Sequence, residues 1–91
     1  IVTRTTQNFA QRRNLDVTDW TISDGDVGVA IWHQDDENTP LVVYRPVDIW
    51  GDFQFVYAPG LDLNTQEELP AWVNSEQRLR EVIDFLAQEV A

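Results

Sequence analysis

The sequence predicts an α+β two-layer sandwich, an antiparallel four-stranded meander flanked by an N-terminal and a C-terminal helix in the order α-β-β-β-β-α. Three observations predict it. Asp24-Gly25 joins two strand-like stretches, VTDWTIS at 17–23 and DVGVAIWH at 26–33, and a two-residue Asp-Gly connection is a strong hairpin signal because a type I′ turn needs positive φ at both positions. Two further β-rich stretches follow, PLVVYRPV at 40–47 and FQFVYA at 53–58. Leu79, Val82, Ile83, Leu86 and Val90 then recur at the spacing of a helix that lays one face on a sheet. A chain of 91 residues fits one domain, 1–91.

The first helix is read over 3–14, where Val2, Thr6, Phe9 and Arg13 form a thin stripe and Asn14 suits its end. In the hairpin, an Asp24-Gly25 loop sets Ser23 opposite Asp26, Ile22 opposite Val27, Trp20 opposite Val29 and Thr18 opposite Ile31. One face then collects Thr18, Trp20, Ile22, Val27, Val29 and Ile31. The other collects Val17, Asp19, Thr21, Gly28, Ala30 and Trp32, and a slip of one residue would mix the two sets.

QDDENT at 34–39 is a polar loop. In the third strand, Pro40 and Pro46 lack the N–H that a ladder needs, which assigns them to strand ends or the strand to an edge. DIWGD at 48–52 is a turn, and the fourth strand sets Phe53, Phe55 and Tyr57 on one face. Pro59-Gly60 ends that strand. Residues 61–74 form a long connection in which Asn64 or Thr65 caps one turn, and Trp50 and Trp72, in connections, plug sheet ends. Ser75 is the expected N-cap of the last helix, with Glu76 favourably placed in its first turn. Glu81, Asp84, Gln88 and Glu89 are expected to face water. The order is in outline similar to that of secretion-chaperone-like sandwiches.

Sixteen acidic residues stand against six arginines, with no lysine, for a formal net charge of -10. Charge of this size speaks to solubility and association rather than to fold. Adaptation to a high-salt environment is one reading of it, and an acidic surface that occupies a basic groove on another protein, as a nucleic-acid mimic does, is another. Direct nucleic-acid binding is disfavoured, since that affinity rests on Lys and Arg at phosphates. No stretch reaches the length of a membrane span. The start, IVTRTTQNFAQRRN, has no apolar core of a signal peptide. There is no cysteine, which removes disulfides and thiolate metal sites. A cytoplasmic location is the expectation.

The candidate chemistry is sparse. His33, the sole histidine, stands beside Gln34-Asp35-Asp36-Glu37, and the expected role is a solvated strand end rather than a metal or proton-transfer site. Asp24-Gly25-Asp26 resembles the start of a calcium loop, but the sixth position from Asp24 is Val29 and the twelfth is Asp35, where an EF-hand needs Gly and Glu. Paired acids such as Asp35/Asp36 and Glu67/Glu68 are expected in so acidic a chain. No nucleophile elbow, P-loop or dinucleotide fingerprint is present. The expectation is therefore a non-enzymatic interaction domain with no catalytic residue, metal, cofactor or small-molecule ligand, acting on a protein partner or a second copy. Its candidate surface is the sheet face opposite the assigned core, carrying Trp32, Tyr44, Val42, Val56 and Val17; the competing expectation is that the first helix or the 61–74 connection covers this face. An acidic inhibitor, or a small enzyme or ligand binder near His33, are the alternative classes.

Overall fold

In the computed structural model, residues 2–23, 25–36, 38–47 and 51–90 are described. They form, in chain order, α1 (Arg4–Gln11), β1 (Leu15–Ser23), β2 (Asp26–His33), β3 (Val42–Pro46), β4 (Phe53–Tyr57), α2 (Leu63–Glu67), β5 (Trp72–Val73) and α3 (Glu76–Val90). The sheet is an antiparallel meander in the order β1-β2-β3-β4-β5. The α+β prediction holds, with a fifth strand added to the four read from the sequence.

The main core lies between one sheet face and the helices. Leu15 and Val17 of β1, Val29 and Ile31 of β2, Val42 and Tyr44 of β3 and Phe53 of β4 meet Leu79, Val82, Ile83 and Leu86 of α3. Ser75 caps α3 by accepting the Arg78 N–H at 3.1 Å. At the other end of the chain, α1 gives way to a turn in which Asn14 takes φ +63°, a left-handed conformation that Asn tolerates. Pro40 precedes β3 and Pro46 closes it, so the prolines sit at strand ends and β3 is internal.

Two bulges set the faces, one correcting the expected register of β1 and the other the expected face of Tyr57. Ser23 pairs with Asp26 as predicted, but Thr21 pairs with Val27, Trp20 with Gly28 and Val17 with Ile31. Ile22 is the extra residue of a β-bulge, so every position of β1 before it is displaced by one and changes partner. Val17 therefore joins Val29 and Ile31 in the core, while Trp20 and Ile22 pack with Ala30 and Trp32 on the opposite face. In β4, Tyr57 pairs with Val43 and Phe55 with Tyr44, so Val56 bulges and Tyr57 turns away from the face of Phe53 and Phe55. Gly25 has φ +73°, as the expected turn requires; Asp24 lies outside the described residues, as do Trp50 and most of the predicted 48–52 turn.

The connection after β4 is more ordered than its composition suggests. Asp62, rather than Asn64 or Thr65, caps α2 by accepting the Thr65 N–H at 2.7 Å. The Gln66 side-chain amide donates to the Ala58 and Leu61 carbonyls at 3.0 and 2.9 Å. Trp72 is not a plug. It lies in β5 opposite Gln54 and is 51% exposed.

A polar seam joins α1 to α3. The Glu76 carboxylate accepts from the Thr3 N–H at 2.8 Å and from the hydroxyls of Thr3 and Thr6, while Arg80 donates to Thr6 Oγ1 at 3.0 Å. Arg13 lies over the Phe9 ring, 3.5 Å from its centre, and pairs with Asp84 at 3.0 Å. Partial burial works to raise the Glu76 pKa, but the Thr3 and Thr6 hydrogen bonds and the Arg80 charge outweigh it and hold the carboxyl below its ordinary value. A carboxylate depressed in the folded state adds stability that is present above its unfolded pKa and lost as pH falls through its folded pKa. Glu76→Gln is thus expected to cost about 1 kcal/mol at neutral pH, with the gap to the parent closing as pH falls through the range below the usual glutamate pKa. Denaturant titrations of both proteins from neutral to acid pH check this; a gap that does not depend on pH refutes it.

Candidate functional site

α1 and α3 pack on one side of the sheet, and the other side carries its own apolar cluster. Ala30, Trp32 and Val43 are its buried centre, with Trp20, Ile22 and Val56 packed around them. The members of the cluster all come from β1–β4, and among the described residues no helix contributes to it. Gly28 allows the centre to close, because a Cβ there would stand 2.6 Å from both Ile22 Cδ1 and the Tyr44 carbonyl oxygen.

The aromatic rings of this face are held in fixed poses. Trp20 and Trp32 meet edge to face, with centroids 5.3 Å apart and planes at 65°. Trp20 Nε1 donates to Tyr57 Oη at 2.7 Å, and Trp32 Nε1 donates to Thr18 Oγ1 at 2.8 Å. Both indole N–H groups are thereby satisfied on this face. Trp32 is buried beneath it, and the half-buried Trp20 and the 40% exposed Tyr57 offer ring surface outward.

Carboxylates border the rings. Asp16 pairs with Trp32 across β1 and β2, at the β1 side of the face. Asp26 binds Arg45 at 2.9 Å near the opposite end of those strands. Trp72 Nε1 donates to Asp52 Oδ2 at 3.1 Å at the β5 margin. The formal charge of this border is acidic, with Arg45 already matched to Asp26.

The five residues nominated from the sequence do not share one face. Trp32 and Val56 belong to the helix-free face. Val17, Val42 and Tyr44 are buried in the main core, Val17 because the Ile22 bulge displaces β1, and Val42 and Tyr44 because they pair with Ile31 and Val29. Tyr44 Oη donates to the Pro70 carbonyl at 3.0 Å, and burial pushes its pKa upward. These three are core residues in this structure. In their place the helix-free face has Trp20, Ile22 and Tyr57, which alternation alone had put on the core side. A signal for them exists in β1, whose apolar positions change from odd (Leu15, Val17) to even (Trp20, Ile22), as a strand with two apolar faces requires.

His33 ends β2. Its Nδ1 accepts the Asp35 N–H at 3.1 Å and lies 3.9 Å from Asp35 Oδ2. Among the described residues no three His, Asp or Glu side chains are grouped to hold a metal ion, and no helix is long and apolar enough to cross a membrane. No family model, curated protein or solved structure matches the chain.

Proposed function

We propose that this chain is a non-enzymatic protein-binding module that docks a partner on the helix-free face of its sheet. The observation that carries the reading is the pair of Trp20 and Tyr57, hydrogen-bonded to each other and seated on the buried Trp32, whose own N–H is taken by Thr18, while no described helix contributes to this cluster. Aromatic anchors with fixed side chains lose little conformational freedom on binding, and such residues dominate interface energetics. The acidic border selects the occupant. Two copies of a chain of charge -10 repel, whereas a partner with an apolar centre and a Lys/Arg rim is attracted and steered.

The test uses the intact chain with a photo-crosslinking phenylalanine derivative at Asp16, on this face, or at Gln88, on the exposed side of α3, in extracts of the source cells. A partner is expected from the Asp16 position and not from Gln88, and its crosslinked peptide should carry Lys or Arg. With that partner purified, Trp20→Ser combined with Tyr57→Ser should weaken binding at least tenfold while the variant keeps a cooperative melt, and salt should weaken the parent complex. Binding unchanged by the double variant, capture only from Gln88, or dimerisation through this face would each overturn the reading.

A further inference from the structure

The two edges of the sheet differ in how they are guarded. Edge strands are open to pairing with other chains, and charges and bulges oppose it. The β1 edge has both, with Asp16 and Asp19 on the strand and the bulge at Ile22. The β5 edge has neither charge nor bulge, only its shortness, since its residues are Trp72 and Val73. It is the last strand in the sheet order. The Phe55 N–H donates to the Ala71 carbonyl at 2.9 Å, and Phe53 pairs with Val73, so by the alternation of an antiparallel ladder the N–H and C=O of Trp72 point away from β4.

Beside this edge lies a groove between the 68–74 segment and α3, with a volume of about 480 Å³. Leu69, Val73, Val82 and Phe85 give it an apolar floor, and Glu68 and Glu81 stand at its rim. Arg78, also at the rim, is matched to Glu81 at 3.1 Å, which leaves the rim acidic.

We propose that the β5 edge takes up an extended segment of a partner protein as a sixth strand, with one apolar side chain seated in the groove beside α3 and a neighbouring Lys or Arg at Glu68 on its rim. Strand addition needs an edge with outward N–H and C=O groups for affinity, and an adjacent pocket for alternate side chains for specificity. This edge has the two together. The surface is separate from the face of Trp20 and Trp32, and the proposal does not depend on the reading of that face.

The probe is a library of short synthetic peptides with Leu, Ile, Val or Phe at alternate positions and Lys, Arg, Ser or Thr between them, titrated into the isotope-labelled chain. The expected result is a set of binders that shift the amide resonances of Trp72, Asn74 and Val82, leave Trp20 and Trp32 in place and weaken as salt is added. N-methylating the tightest peptide at single amides should reduce affinity about tenfold at alternate positions, for the hydrogen bonds lost there. Trp72→Pro removes the outward donor without touching the β4 ladder and should abolish binding with the fold retained; if that variant unfolds, the N-methyl series on the parent chain decides alone. A flat N-methyl series, shifts confined to Trp20, Trp32 and Tyr57, no binder in the library, or peptide-independent dimerisation through β5 would each overturn the proposal.

Discussion

Leu86→Ala is expected to lower the folding free energy by about 2–5 kcal/mol, the range for a buried leucine that leaves a cavity behind. Leu86 is fully buried between α3 and the sheet, beside Ile83 and Val82. The removed methyl groups lose their transfer free energy. Strands fixed by ladders on both sides, as β2 and β3 are, have little freedom to move into the space. For a domain whose total stability is of order 5–15 kcal/mol, that loss is a large share. Glu81→Ala, on the exposed side of the same helix, is expected to change stability by about 0.5 kcal/mol or less. Urea titrations of the two variants make the comparison. Similar losses for both would contradict a helix packed by one face.

Gly28→Ala is the second large effect, expected at about 1–3 kcal/mol, the cost of forcing atoms into a filled space. The new Cβ would meet Ile22 Cδ1 and the Tyr44 carbonyl oxygen, each at 2.6 Å. The isoleucine end can rotate. The carbonyl belongs to β3, whose Tyr44 pairs with Val29 next to Gly28, and it moves only if the ladder opens. The same shift would disturb the packing of Trp20 on Trp32, so the near-ultraviolet circular dichroism of the tryptophans should change together with the denaturation midpoint. An unchanged midpoint and spectrum would mean that β2 and β3 are farther apart at this point than the structure places them.

Elements with long repeats were legible in the sequence, and local irregularities were not. The α3 stripe from Leu79 to Leu86 and the Ser75 cap follow from helical spacing and from an orphan N–H that a hydroxyl satisfies. The Asp24-Gly25 connection located the hairpin, with Gly25 at the positive φ this turn chemistry demands. The candidate face was read only in part, because a period of two carries no mark of the place where one residue is inserted. Ile22 and Val56 are such insertions, and they moved Val17, Trp20 and Tyr57 to faces opposite those assigned. The fifth strand was missed for another reason. Trp72 and Val73 are too few to show alternation, and their pairing is decided by Phe53 and Gln54, some twenty residues away in the chain.

The seam between α1 and α3 also bears on the order in which the molecule assembles. Every strand of the meander pairs with its neighbour in sequence, the longest connection being 58–71 between β4 and β5, and α3 follows directly on β5. The seam is the distant contact of α1, since 71 positions separate Arg13 from Asp84, whereas its other neighbour, β1, follows it directly in the chain. Closing a long loop costs more chain entropy than closing a short one and slows the step that does it. The contact of α1 with α3 is therefore expected to form after the short-range pairings of the meander. On the return path, the polar contacts of Thr3, Thr6 and Arg13 are expected to open before the apolar layer, and hydrogen exchange faster at the α1 amides than in β2 and β3 would show it.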